Sequence, residues 1–132
     1  MSYTSERTAI ESRFNSLYTA SAIKWENVDY KATPGTSFVE LIIDTDDSDQ
    51  LEITSNNPTY RTTGSIVCII YTPVNAGSKA SRTIQDAIRT IFCGQQFSGI
   101  ICRGASIGKG GVKDEWYRTV MNIEFFYDER LA

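Results

Sequence analysis

The stretch SIVCIIY, residues 65–71, decides how this chain folds. Its residues are apolar at odd and even positions alike and rich in β-branching, the pattern of a central strand covered on both faces. At six residues, the nearly pure apolar run from Ile66 to Tyr71 is far too short to cross a bilayer. The central element of a sheet is therefore predicted here, and the flanking segments supply its neighbours.

On the N-terminal side, FVELIID alternates as a strand should, with Val39, Leu41 and Ile43 on one face and Phe38, Glu40 and Ile42 on the other. The acidic run TDDSDQ that follows reads as a solvated turn leading to a short strand around LEI, so residues 38–54 form a predicted hairpin and NNPTYRTTG a loop. On the C-terminal side, VNAGSKAS opens a helix with Ser78 as its cap. Ala80, Ile84, Ala87, Ile88, Ile91 and Phe92 then hold one stripe until Gly94 stops it. GIICRGASI and residues 116–127 read as two further strands, the second with Tyr117, Met121, Ile123, Phe125 and Tyr127 sharing a face. At the N-terminus, Ile10, Phe14, Leu17 and Tyr18 repeat with helical spacing, capped by Thr4 or Ser5 and ending near Ala20. A short extended piece, KWENVDY, follows.

The order helix, strands, helix, strands predicts an α+β fold: a single domain spanning residues 1–132, with a mainly antiparallel β-sheet packed with two α-helices. A chain of 132 residues is long enough for one self-sufficient core. The N-terminus MSYTSERTAIESRF lacks a hydrophobic signal core, which predicts a soluble chain made in a cytoplasm. Cys68, Cys93 and Cys102 are odd in number, lack CxxC spacing and have no histidine to share a metal or act as a base, so they read as buried free thiols.

Three chemical motifs fail on inspection. In GASIGKGGVKDEW, residues 104–116, the spacing between Gly104 and Gly108 is one short of a phosphate-binding loop. Lys109 is followed by glycine rather than Ser or Thr, and a strand rather than a helix comes next. The segment reads instead as a flexible hairpin loop. DTDDSDQLE lacks the glycine and the glutamate that a calcium loop requires at its sixth and twelfth positions. No carboxylate pair marks a cleft. No catalytic residue, cofactor or metal is assigned, and the chain does not read as an enzyme.

Charge is distributed unevenly although the net value is only −3. Between Lys31 and Arg61 lie Glu40, Asp44, Asp46, Asp47, Asp49 and Glu52 with no basic residue. From Arg61 to Arg118 there are eight basic residues against three acidic ones. Such asymmetry suits contacts with partners or with copies of the same chain. Nucleic-acid binding is the rival from another class: Lys109, Lys113 and Arg118 lie near the stacking surfaces of Trp116 and Tyr117. Against it stand an acidic pI and the lack of a dense basic stripe.

Several landmarks occur together in order: the W-x-N-x-x-Y segment of Trp25, Asn27 and Tyr30; Arg61 and Gly64 before the central strand; and Tyr71, Pro73, Gly77, Asp86 and Phe92 after it. In this, roughly residues 5–127 resemble the tail terminator proteins of long-tailed bacteriophages. The resemblance implies a structural virion protein, assembled in the bacterial cytoplasm and placed at the head–tail junction. It would act as a homohexameric ring that caps the tail tube, stops tube polymerisation and joins the head completion or connector protein. A related head–tail connector role is the near alternative. A domain of this length has a radius of gyration of about 14 Å, and six such units in a ring leave a hole of about 36 Å, wide enough for DNA to pass without specific binding. On this reading the interface residues are Asp46, Asp47 and Asp49 against Arg61 or Arg82 of a neighbour. Lys109 and Lys113 would face the tube or connector.

Overall fold

The computed structural model describes residues 2–51 and 58–130. Helix α1 spans Tyr3–Leu17, followed by strands β1 (Ala22–Trp25), β2 (Phe38–Gln50) and β3 (Thr59–Pro73). Helix α2 (Lys79–Phe92) and strands β4 (Gln96–Phe97), β5 (Ile100–Lys113) and β6 (Trp116–Arg130) complete the chain. The strands form one sheet in the order β1-β2-β3-β6-β5-β4, antiparallel throughout except for the parallel pair β1 and β2. The single-domain α+β fold read from the sequence is thus present.

SIVCIIY does occupy the middle. β3 pairs with β6 in an unbroken register from Thr59↔Arg130 to Pro73↔Trp116, and with β2 on its other side. Its cover, however, is one-sided. Ile66, Cys68 and Ile70 are buried against Ile10, Phe14, Ile84, Ile88 and Phe92 of the two helices, together with Met121, Ile123, Phe125 and Tyr127 of β6. The alternate residues Val67 and Ile69 are only half-buried. A strand in mid-sheet is hidden by its lateral neighbours even where no layer sits above it, which is why its sequence reads as doubly covered.

Two helix ends meet through specific contacts. Phe14 and Phe92 stack at 5.7 Å, and the Arg13 Nε donates to the Ile91 carbonyl at 2.8 Å, satisfying one of the acceptors left open at the end of α2. The same guanidinium lies 4.8 Å over the ring of Phe97. α1 begins two or three residues earlier than the expected caps Thr4 or Ser5: Ser2 is the cap, accepting from the Ser5 amide. Ser78 holds the cap position of α2 without a side-chain hydrogen bond.

Three local readings are corrected. The acidic run is not a turn: β2 continues to Gln50, paired with β3 as far as Gln50↔Tyr60, with one register shift between Thr45 and Asp47. YRTTG is accordingly strand, not loop, and the expected short strand around LEI falls mostly on residues 52–57, outside those described. The glycine-rich stretch is not a flexible loop either. It is the second half of β5, paired with β6 up to Lys113↔Trp116, and the connection is the two-residue turn of Asp114 and Glu115, with Asp114 at φ 56°. Two of the glycines there have a structural duty. A Cβ on Gly110 would stand 2.9 Å from the Arg118 Cβ, and Gly111 has φ 73°, where the register shifts by a residue.

Candidate interaction surfaces

Pairing register defines what stands on the side of the sheet away from the helices. Across its middle run the rows Ile42, Val67, Asn122 and Glu40, Ile69, Val120. Among the described residues no helix or strand packs on these rows, so four aliphatic side chains form a half-buried apolar floor. Glu40 is held at one side of it, accepting from the Tyr71 hydroxyl at 3.2 Å and pairing with Lys24 at 3.5 Å.

At one end of this face the segment after β1 brings Tyr30 over Phe38 at 4.9 Å. Phe38 stacks on Tyr71 at 4.4 Å and meets Trp116 edge-on at 5.1 Å. Trp116 is 9% exposed as a result, and Arg118 is half-buried with its guanidinium donating to the Gly110 carbonyl at 2.9 Å. Part of the surface that made a nucleic-acid module plausible is therefore engaged within the chain: Trp116 and Arg118 are held by intrachain contacts, while Lys109 and Lys113 remain exposed. Trp25 meanwhile packs on Phe14 in the helix-side core.

The other end is charged. Phe126 carries the guanidinium groups of Arg61 and Arg103, each 4.8 Å from the ring centre. Arg61 also forms a two-pronged pair with Asp128 at 2.8 and 3.0 Å, a bond that holds the Asp128 carboxyl below its ordinary range. Asp46, Arg61, Arg103 and Glu124 line a cleft of about 260 Å³ here. Sequence reasoning named Asp46 and Arg61 but missed Arg103, Phe126 and Asp128. The alternation of β6 carried part of that signal, since Phe125 in the core requires Phe126 on the opposite side.

The expected interface residues are thus distributed over four places. Asp46 and Arg61 share the cleft just described, and Arg61 is already engaged by its own chain's Asp128. Asp47 and Asp49 lie exposed on β2. Arg82 stands on α2 beside a groove of about 480 Å³ formed with Arg89, Ala105, Ile107 and Met121. Lys109 and Lys113 are exposed on β5, with Ile107 and Val112 nearby at 57% and 62% exposure.

Burial raises the thiols of Cys68 and Cys102, the latter to about 12, and it raises Cys93 as well despite the countering charge of Arg89. Neutral thiols are poor nucleophiles. Glu6 is buried and accepts from the Thr45 hydroxyl at 2.7 Å, tying α1 to β2. The buried Tyr127 hydroxyl makes no hydrogen bond of ordinary geometry among the described residues. Desolvation first, and then the charge of nearby Glu6, keep it protonated. Among the described residues no group of three His, Cys, Asp or Glu side chains is arranged to hold a metal ion, and no helix is long and apolar enough to cross a membrane.

No family model matches the sequence. No curated protein matches it. One solved structure, which bears only an identifier for a name, is similar with a TM-score of 0.65 and 18% identity, covering 100% of this chain and 98% of that chain. At this identity the likeness is one of fold, and it extends over the whole length of both chains.

Proposed function

We propose that this chain is a structural assembly protein of a long-tailed phage, a ring-forming tail terminator that caps the tail tube and offers its other side to the head completion protein. The observation that carries the reading is the uncovered side of the sheet. It presents a broad apolar floor of Ile42, Val67, Ile69 and Val120 between an aromatic end and a charged end, a surface shaped for protein contact rather than for enclosing a small molecule. The order of landmarks from Trp25 to Phe92 supports the family assignment, and the raised thiols argue against a cysteine nucleophile.

Purified protein added to tail tubes that lack their cap tests this directly. Ring-shaped density at tube ends in negative stain, with an end to further tube growth, is the expected result. Protein that leaves tubes bare and growing refutes it. Retarded DNA at low salt, with the retardation falling steeply as salt rises, would instead favour the nucleic-acid reading.

A further inference from the structure

The sheet has two unpaired borders of opposite charge. On one side, β1 pairs with β2 only from Phe38 to Leu41, and the Ile43 amide is taken by Glu26 Oε1. From Asp44 to Asp49 the outer border of β2 is open among the described residues. On the other side, β4 and the backbone of Gly94 and Gln95 cover β5 as far as Arg103. The Cys93 thiol meets the Ala105 backbone, and from Ser106 to Lys113 the outer border is open likewise. The first border carries Asp44, Asp46, Asp47 and Asp49, all exposed; the second carries Lys109 and Lys113, also exposed. Among the described residues none of these six forms an ion pair within the chain.

We infer that the acidic border of β2 docks along the basic border of β5 in a second copy of this chain, continuing the sheet from one subunit to the next. This rests on the self-assembly half of the proposed function and is independent of the tail. An open strand border is a template for pairing, and charge decides which pairing survives. Acidic against acidic and basic against basic repel, so two-fold contacts of like borders are disfavoured, while the mixed contact is attractive. A contact between two different surfaces of the same chain runs head to tail and closes into a ring or extends as a filament.

The strand directions agree with this. β2 is antiparallel to β3, β3 to β6 and β6 to β5, so β2 and β5 run in opposite senses. A neighbour in the same orientation therefore presents β2 antiparallel to β5, the sense that pairs without a crossover. The open borders lie at different heights: that of β2 lies beside residues 61–65 of β3, that of β5 level with residues 67–73. Meeting centre to centre requires an offset of about 20 Å along the strands at 3.3 Å per residue, over a repeat of four strands about 19 Å wide. The slope, about 45°, lies at the upper end of the tilt found in closed barrels. The same offset moves the short flanking strands β1 and β4 clear of the seam.

The test uses two variants of the full chain, Asp44→Lys with Asp47→Lys and Asp49→Lys, and Lys109→Glu with Lys113→Glu. All five positions are exposed, and unchanged thermal melts check that both variants fold. Sedimentation velocity of the wild type is expected to show assemblies that weaken as salt rises. Each variant alone carries two borders of one sign and should associate at least about tenfold more weakly. Mixed in equal amounts, the two variants should assemble again, since every border of one then complements a border of the other. Variants that associate as the wild type does, a mixture no better than its parts, or a wild type monomeric up to about 1 mM would each overturn the inference. Loss of tube capping with border-driven assembly intact would remove the tail terminator reading alone; capping by rings that ignore both reversals would remove the border contact alone.

Discussion

Replacing Gly64 by alanine measures how tightly the sheet and its core face are fitted. Gly64 lies directly across from Phe125 in the β3–β6 ladder, and the aromatic ring lies over the glycine. A Cβ there would come 2.7 Å from the Asp44 carbonyl oxygen and 2.8 Å from the Phe125 Cζ. The ring can tilt, but the carbonyl belongs to the paired backbone of β2 and cannot move without disturbing that ladder. Overpacking of this kind costs about 1–3 kcal/mol. Alanine also restricts the unfolded chain, which returns about 0.4–1 kcal/mol where the backbone is compatible. The net expectation is a loss of about 1–2 kcal/mol, or a melting temperature lower by roughly 3–8 °C for a domain of this size. Urea and thermal unfolding followed by circular dichroism provide the readout. Gly108→Ala is the control, because its Cβ would meet nothing within 4 Å, and it should be neutral or slightly stabilising. In Gly64→Ala with Phe125→Leu the combined loss should be smaller than the sum of the single losses, since one clash is relieved. A Gly64→Ala protein as stable as the wild type, or equal to Gly108→Ala, would show that the close approach to Asp44 does not constrain the fold.

Two further outcomes follow from particular contacts. Burial raises the Cys68 and Cys102 thiols above their unfolded values, so the stability they contribute is complete below about pH 8.5 and is lost as pH rises from there through their folded values; denaturant midpoints at pH 7, 9 and 10.5 should fall in that order, with a thiol reagent labelling the half-buried Cys93 before the other two. Deleting residues 108–111 removes the pairs Gly108↔Val120, Lys109↔Thr119 and Gly111↔Arg118 and the Gly110 carbonyl that Arg118 holds. At about 0.5–1.5 kcal/mol per hydrogen bond the loss is about 2–4 kcal/mol, seen as an earlier thermal transition. An unchanged transition would mean the segment is a dispensable loop, as its composition suggests.

The readings that succeeded and those that failed divide along one physical line. The stripe of Ile84, Ile88 and Ile91 and the alternation of Met121, Ile123, Phe125 and Tyr127 report which side chains leave water, and burial is what those patterns encode. The helices, the central strand and the α+β class followed from them. Thr45 to Gln50 and Gly108 to Lys113 failed because strand formation there comes from the neighbour: β3 draws the acidic segment into its ladder, and β6 draws the glycines, whatever their own preferences. The candidate surfaces were legible only as residue types. That Asp46, Arg61 and Arg103 line one cleft beside Phe126, and that Arg61 is held by Asp128 sixty-seven residues away, depends on register between distant strands.

By itself the sequence determined the class of fold, the core-facing positions of its helices and strands, and the imbalance of charge along the chain, because each is a local or periodic property of the residues. Only the tertiary structure decided that both helices share one side of the sheet, that among the described residues no helix or strand covers the middle of the other side, and that the acidic and basic runs become its two opposite borders. Those facts arise from pairing over long stretches of chain, where the partner's backbone rather than the residue's own preference fixes the conformation.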